Sequence, residues 1–257
     1  LPQVKNAAWA RTPIDRFILA KLEEKNLTPS PASDRARLIR RAYFDLHGLP
    51  PTPQELQEFV AAWDAAGKPT ECLPWAYERL VDRLLDSPHY GERWARHWLD
   101  TVRFAESGGY EFDGDRPAAF HYRDFVIKAL NQDMPFDQFI RWQIAGDQLV
   151  SGDQQAIAAT GFLVAGSYPG QTTAKTLALI RYDHLDDMIS TLGTSMLGLS
   201  LGCARCHEHK YDPIPQEDYY RLIANLGRTD SANVKVNTDP ATYRAAKSAF
   251  DQAHAPL

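Results

Sequence analysis

The 257-residue chain carries 28 lysines and arginines against 33 aspartates and glutamates, a formal net charge of −5. Its apolar fraction of 44% and charged fraction of 24% are those of an ordinary folded chain and exclude wholesale disorder. No basic stripe and no apolar run of membrane-spanning length is present, which sets aside nucleic acid as the main partner and a membrane span.

Periodicity is helical almost throughout. Thr12-Pro13-Ile14-Asp15 places a capping threonine before a proline at the first helical position. Ile14, Phe17, Ile18 and Leu22 then recur at helical spacing and predict a helix over 13–26. A second helix is predicted over 34–46, stopped by Gly48 and Pro50-Pro51. Thr52-Pro53-Gln54-Glu55 repeats the start signal with glutamate in the capping-box position, and Leu56, Phe59, Val60 and Trp63 carry the pattern on. Further helices are predicted at 74–86, 89–106, 119–133, 136–146, 153–165, 174–199, 215–226 and 239–252. The expected fold is all-α, an irregular multi-helix domain with no substantial sheet. It is read as one domain over 1–257 with a subdivision near 108–118. The acidic loop Glu111-Phe112-Asp113-Gly114-Asp115 lacks the complete oxygen spacing of a calcium loop and reads as a solvated turn.

Between the helices at 174–199 and 215–226 lies Gly202-Cys203-Ala204-Arg205-Cys206-His207, which contains CxxCH. That spacing is the attachment signature of c-type haem. Cys203 and Cys206 would each form a thioether to one porphyrin vinyl group, and His207 would give an imidazole nitrogen to the iron. One covalent haem c is therefore expected. Two other readings stand beside it. A redox disulfide wants a βαβ setting that this chain does not show. A closed zinc site wants four ligands, and no second Cys/His cluster accompanies Cys203, Cys206, His207 and His209. Cys72 is left as an odd thiol, read as unpaired and partly buried.

The sixth iron position decides what such a centre does. A second protein ligand gives an electron-transfer centre, whereas an open position admits peroxide or another small ligand. His97, in Trp94-Ala95-Arg96-His97-Trp98, is the first candidate, on an aromatic helix with arginines for the propionates. His184 and Met188, four apart on one helix face, are the second. Met196 sits on a stripe with Leu185, Ile189, Leu192 and Leu199 that reads as core. His209 is too close in sequence to reach the far face of the ring and is expected beside the haem instead. Arg205, Lys210 and Asp212 are expected as propionate contacts or as tuning residues.

Several of these stretches resemble a known family. Thr12-Pro13-Ile14-Asp15-Arg16-Phe17-Ile18, Asp45-Leu46-His47-Gly48-Leu49-Pro50-Pro51-Thr52, Tyr90 to Asp100, Gln143-Ile144-Ala145-Gly146-Asp147 and Gly202 to Ile214 are similar to DUF1549, the planctomycete cytochrome-associated domain of unknown function. The likeness covers roughly residues 10–227. It implies a haem and an exported, periplasmic setting within a larger protein, with a cytochrome c domain upstream and a further domain downstream. It also implies a link to polysaccharide breakdown, without naming a reaction. Both termini read accordingly as cuts in a longer exported protein.

The leading expectation is an exported c-type cytochrome module that moves electrons to or from a cytochrome c domain of the same or a neighbouring protein. The second is a haem enzyme with an open sixth position, in which His97 with Arg96, Arg93 or Asp100 activates peroxide or oxidises a carbohydrate. The third is a glycan-binding module with a structural haem, stacking sugars on Tyr110, Phe112, Phe120, Tyr122 and Trp142.

Overall fold

The computed structural model describes residues 1–65, 75–109, 113–167, 169, 171–234 and 239–255. Among these the regular elements are helical, and the sole β feature is an isolated bridge between Ser107 and Asp115. The all-α expectation is met. Cys72, Tyr110, Glu111 and Phe112 lie outside the described residues.

The chain forms two compact units, one of residues 1–45 and 49–81 and one of residues 46–48 and 82–257. The first holds α1 (Pro13–Glu24), most of α2 (Arg35–Leu46), α3 (Pro53–Ala65) and the start of α4 (Trp75–Leu85). Its helix starts follow the sequence signals. Thr12 caps α1 by accepting from the Asp15 N–H while the Asp15 carboxylate takes the Thr12 N–H, a reciprocal box that satisfies two orphan donors. Thr52 and Glu55 make the same exchange ahead of α3. Leu19, Ile39, Tyr43, Phe59 and Leu80 are the large buried side chains among the described residues of this unit.

The second unit contains α5 (Pro88–Thr101), α6 (Phe120–Asn131), α7 (Phe136–Leu149), α8 (Gln154–Ala159), α9 (Gly161–Val164), α10 (Leu177–Leu192), α11 (Gln216–Leu226) and α12 (Pro240–His254). Its core joins Ala95, Leu99 and Val102 of α5 and its C-terminus with Tyr122, Phe125 and Val126 of α6 and Phe139 of α7. Leu185, Met188 and Ile189 of α10 and Tyr219 and Ile223 of α11 complete it. One polar knot sits inside. The Gln143 side-chain oxygen accepts from Trp98 Nε1 at 2.9 Å and from the Tyr122 hydroxyl at 2.6 Å, and Gln143 Nε2 donates to the Phe139 carbonyl. Every polar group of this fully buried glutamine is thereby paired.

Three predicted helices differ from the observed ones. The helix expected over 89–106 stops at Thr101, because Arg103 turns left-handed (φ 55) to lay a bidentate guanidinium on Asp187 of α10. The one expected over 153–165 breaks at Thr160 into α8 and α9. The one expected over 174–199 begins only at Leu177 and widens after Leu192 into a π-turn, Gly193–Leu197. There the Thr194 and Ser195 hydroxyls donate to carbonyls one turn back, Ser190 and Thr191, competing with the regular ladder. Gly198, left-handed at φ 67, then reverses the chain toward a one-turn 3-10 helix, Leu201–Arg205. Among the described residues no helix is long and apolar enough to cross a membrane.

Candidate functional site

The CxxCH segment is carried by that 3-10 turn, folded back against α10 and α11. Leu201 and Ala204 point inward and belong to the core of the second unit, Ala204 with 0% exposure. The Cys206 N–H bonds to the Cys203 carbonyl and closes the turn. With Ala204 inward, Cys203 and Cys206 stand on the outer side, both exposed and both free thiols. Close approach makes this fold-back: a Cβ on Gly193 would meet Leu201 Cγ at 2.6 Å and the Leu199 carbonyl at 2.8 Å, so a larger residue would push the turn off α10.

The two histidines that follow hold opposite tautomers. His207 is exposed, and its Nδ1 lies 2.7 Å from the Glu208 carbonyl. A carbonyl only accepts, so Nδ1 carries the proton and the lone pair resides on Nε2. His209 is turned inward, its side chain 6% exposed. Its Nδ1 takes the Asp212 N–H at 2.9 Å, and Nε2 meets the Ser200 hydroxyl at 3.2 Å. The Asp212 carboxylate also stands 3.3 Å from Nδ1. A proton there would face the Asp212 N–H donor head on, so Nδ1 accepts and Nε2–H donates to Ser200. His209 thus staples the loop from Ser200 to Asp212, and the Ile214 carbonyl accepts from the His209 N–H.

Cys203, Cys206, His207 and His209 are therefore gathered into one surface loop. His97 lies elsewhere, on the exposed stripe of α5 opposite Ala95 and Leu99, with its ring edge-on to Trp94 at 5.4 Å. Met188 is wholly buried in the apolar core, and Met134 and Met196 are packed against it. His184 is half-buried beside Asp187, Arg181 and Arg103, and burial holds its imidazole below its ordinary pKa. Of the aromatic residues considered for sugar stacking, Tyr122 is buried and Trp142 is packed against the core, while Phe120 is exposed with its ring tilted against His121.

Sequence reasoning missed the anchors of the turn. Arg205, expected as a propionate contact, spends its guanidinium on Asp183 and Asp186 of α10. Tyr219 donates its hydroxyl to the other oxygen of Asp186. Burial, then the hydrogen bond to that carboxylate, hold the Tyr219 phenol protonated well above its ordinary range. The signal was present as two aspartates three apart on α10 and the pair Tyr219-Tyr220, but nothing in the linear pattern ties them to residue 205. Lys210 lies over the ring of exposed Tyr211.

The loop fits a covalent haem by its donor set. Two reduced, outward thiols one turn apart are what thioether formation consumes, and His207 presents Nε2 with Nδ1 tied to a carbonyl, as iron-ligating histidines do. A closed zinc centre fits less well: among the described residues no three His, Cys, Asp or Glu side chains are grouped to hold a metal ion. Residues 13–231 match the family model described as PSCyt2, protein of unknown function (DUF1549). No curated protein and no solved structure matches the chain.

Proposed function

The chain belongs to that family of unknown function, and we propose that it is a redox module carrying one haem c on Cys203, Cys206 and His207. The observation that carries the reading is the outward pair of free thiols on a turn anchored by buried Ala204, followed by a histidine whose Nδ1 proton is already engaged. Cys203 and Cys206 would hold the porphyrin by adding their thiols to its two vinyl groups, and His207 would hold the iron through Nε2, with Nδ1–H donating to the Glu208 carbonyl to keep that tautomer. The bound group supplies a one-electron iron couple. The physiological exchange we assign to it is with a cytochrome c domain of the same or a neighbouring protein. The compartment we assign to the working protein is outside the cytoplasm, where haem c is attached. His97 serves both a six-coordinate relay and the peroxidase-like reading, and its place on the outward stripe of α5 supports neither over the other.

The test is expression of the exported chain with haem-attachment machinery, followed by a pyridine haemochrome assay under denaturing conditions. One haem c per chain, lost in Cys203→Ala and Cys206→Ala, is the expected result. A chain that emerges colourless while a control cytochrome matures would overturn the proposal.

A further inference from the structure

The two residues between the cysteines are held very differently. Ala204 is a knob in the core. Arg205 is gripped through both side chain and main chain. Its guanidinium reaches Asp183 at 2.7 Å and Asp186 at 3.1 Å, two carboxylates on one face of α10. Its carbonyl accepts from Gln216 Nε2 and from the Tyr220 hydroxyl, each at 3.0 Å, both on α11. Tyr219, buried to 2% exposure, secures the second oxygen of Asp186.

Charge is unbalanced in this cluster: one guanidinium, on the residue before Cys206, faces two carboxylates of α10, leaving one net negative charge. Side-chain exposure is 36% for Arg205 and 24% for Asp186 but 53% for Asp183, so water screens Asp183 well and the Arg205–Asp186 pair in part. Glu208, Lys210 and Asp212 are the other charged side chains of the loop.

We propose that Arg205, bridged to Asp183 and Asp186 and backed by Tyr219, is the positioning residue of the attachment turn and sets the local charge felt by the redox group held there. The inference rests on the haem reading above. An oxidised iron centre carries one more positive charge than a reduced one, so added negative charge favours the oxidised state and lowers the midpoint potential. Removing negative charge raises it.

Three variants separate charge from shape. Asp186→Asn keeps an oxygen for the Tyr219 hydroxyl and removes one negative charge, so the potential rises. Arg205→Gln removes the positive charge and leaves both carboxylates bare, so the potential falls. Arg205→Lys keeps the charge, but a single ammonium cannot fork to two carboxylates. Its potential stays near that of the unaltered protein, while the fraction of chains with covalent haem drops. Far-UV circular dichroism checks that each variant is folded. Opposite shifts for Asp186→Asn and Arg205→Gln support the assignment. Shifts of the same sign, or none, overturn it, because a brace that only holds the turn would move both potentials together or neither. An unaltered chain that carries no haem defeats the proposed function and this inference with it, whereas a loaded chain whose potentials fail to shift in opposite senses defeats this inference alone.

Discussion

At the scale of single residues, the polar knot under α5 and a half-buried histidine make separate claims. Gln143 is the common acceptor for Trp98 and Tyr122. Gln143→Leu fills the same space but strips the Tyr122 hydroxyl of its acceptor, while half-buried Trp98 Nε1 keeps the Tyr122 oxygen at 3.1 Å, so the cost is about 1–3 kcal/mol for the one group left unsatisfied. A clear fall in the urea midpoint with an unchanged slope is expected, and a neutral result would show that the hydroxyl finds another partner. His184 makes a prediction about acidity. Burial first, then the positive charges of Arg181, Arg103 and Arg116, depress its folded pKa below 6.5, against an opposing pull from Asp187. The unfolded chain then binds the proton more readily than the folded one. Stability from this group is fully present above 6.5 and is lost as the pH falls through the depressed folded value. The thermal midpoint of His184→Gln should therefore depend less on pH below 6.5 than that of the unaltered chain.

Elements were legible in proportion to how local their causes are. The capping boxes at Thr12 and Thr52, Pro13 and Pro53 at helix starts, and the apolar stripes behind them act within a turn or two. Helices α1 and α2 accordingly fall within about two residues of their predicted limits, and α3 starts at the proline its signal marks. The failures have distant causes. The end of α5 depends on Asp187, far along the chain, and the end of α10 on a return segment that packs on Gly193. The site divides the same way. Cys203, Cys206 and His207 were plain from spacing, and the tautomer of His209 and the grip on Arg205 were not, because both depend on groups brought in by folding. Gly193→Ala tests the return segment directly. Its Cβ would collide with Leu201 and the Leu199 carbonyl, and overpacking of this kind typically costs about 1–3 kcal/mol. The expected outcome is a lowered melting temperature together with faster alkylation of Cys203 and Cys206, as the turn loosens from α10. Unchanged thiol reactivity would mean that α11 alone holds the turn.

For the molecule as a whole, the second unit fills its centre with its own side chains. Leu201 and Ala204, flanking Cys203, are buried among Met188, Phe125 and Tyr219, whereas the two sulfurs stand at the surface. The double variant Cys203→Ala, Cys206→Ala removes no core atom, so its thermal midpoint should lie within a few degrees of that of the apoprotein, a shift worth less than about 1 kcal/mol. A collapse of structure would show that the thiols carry more of the fold than their exposure indicates. The consequence reaches the order of events in biogenesis. A polypeptide that collapses around its prosthetic group must receive it while still unfolded and is hostage to the supply of that group. Under the function proposed above, the anchoring alanine belongs to a core built of the chain's own side chains, so the chain expressed without haem-attachment machinery should already fold, with the helical circular dichroism of the loaded protein.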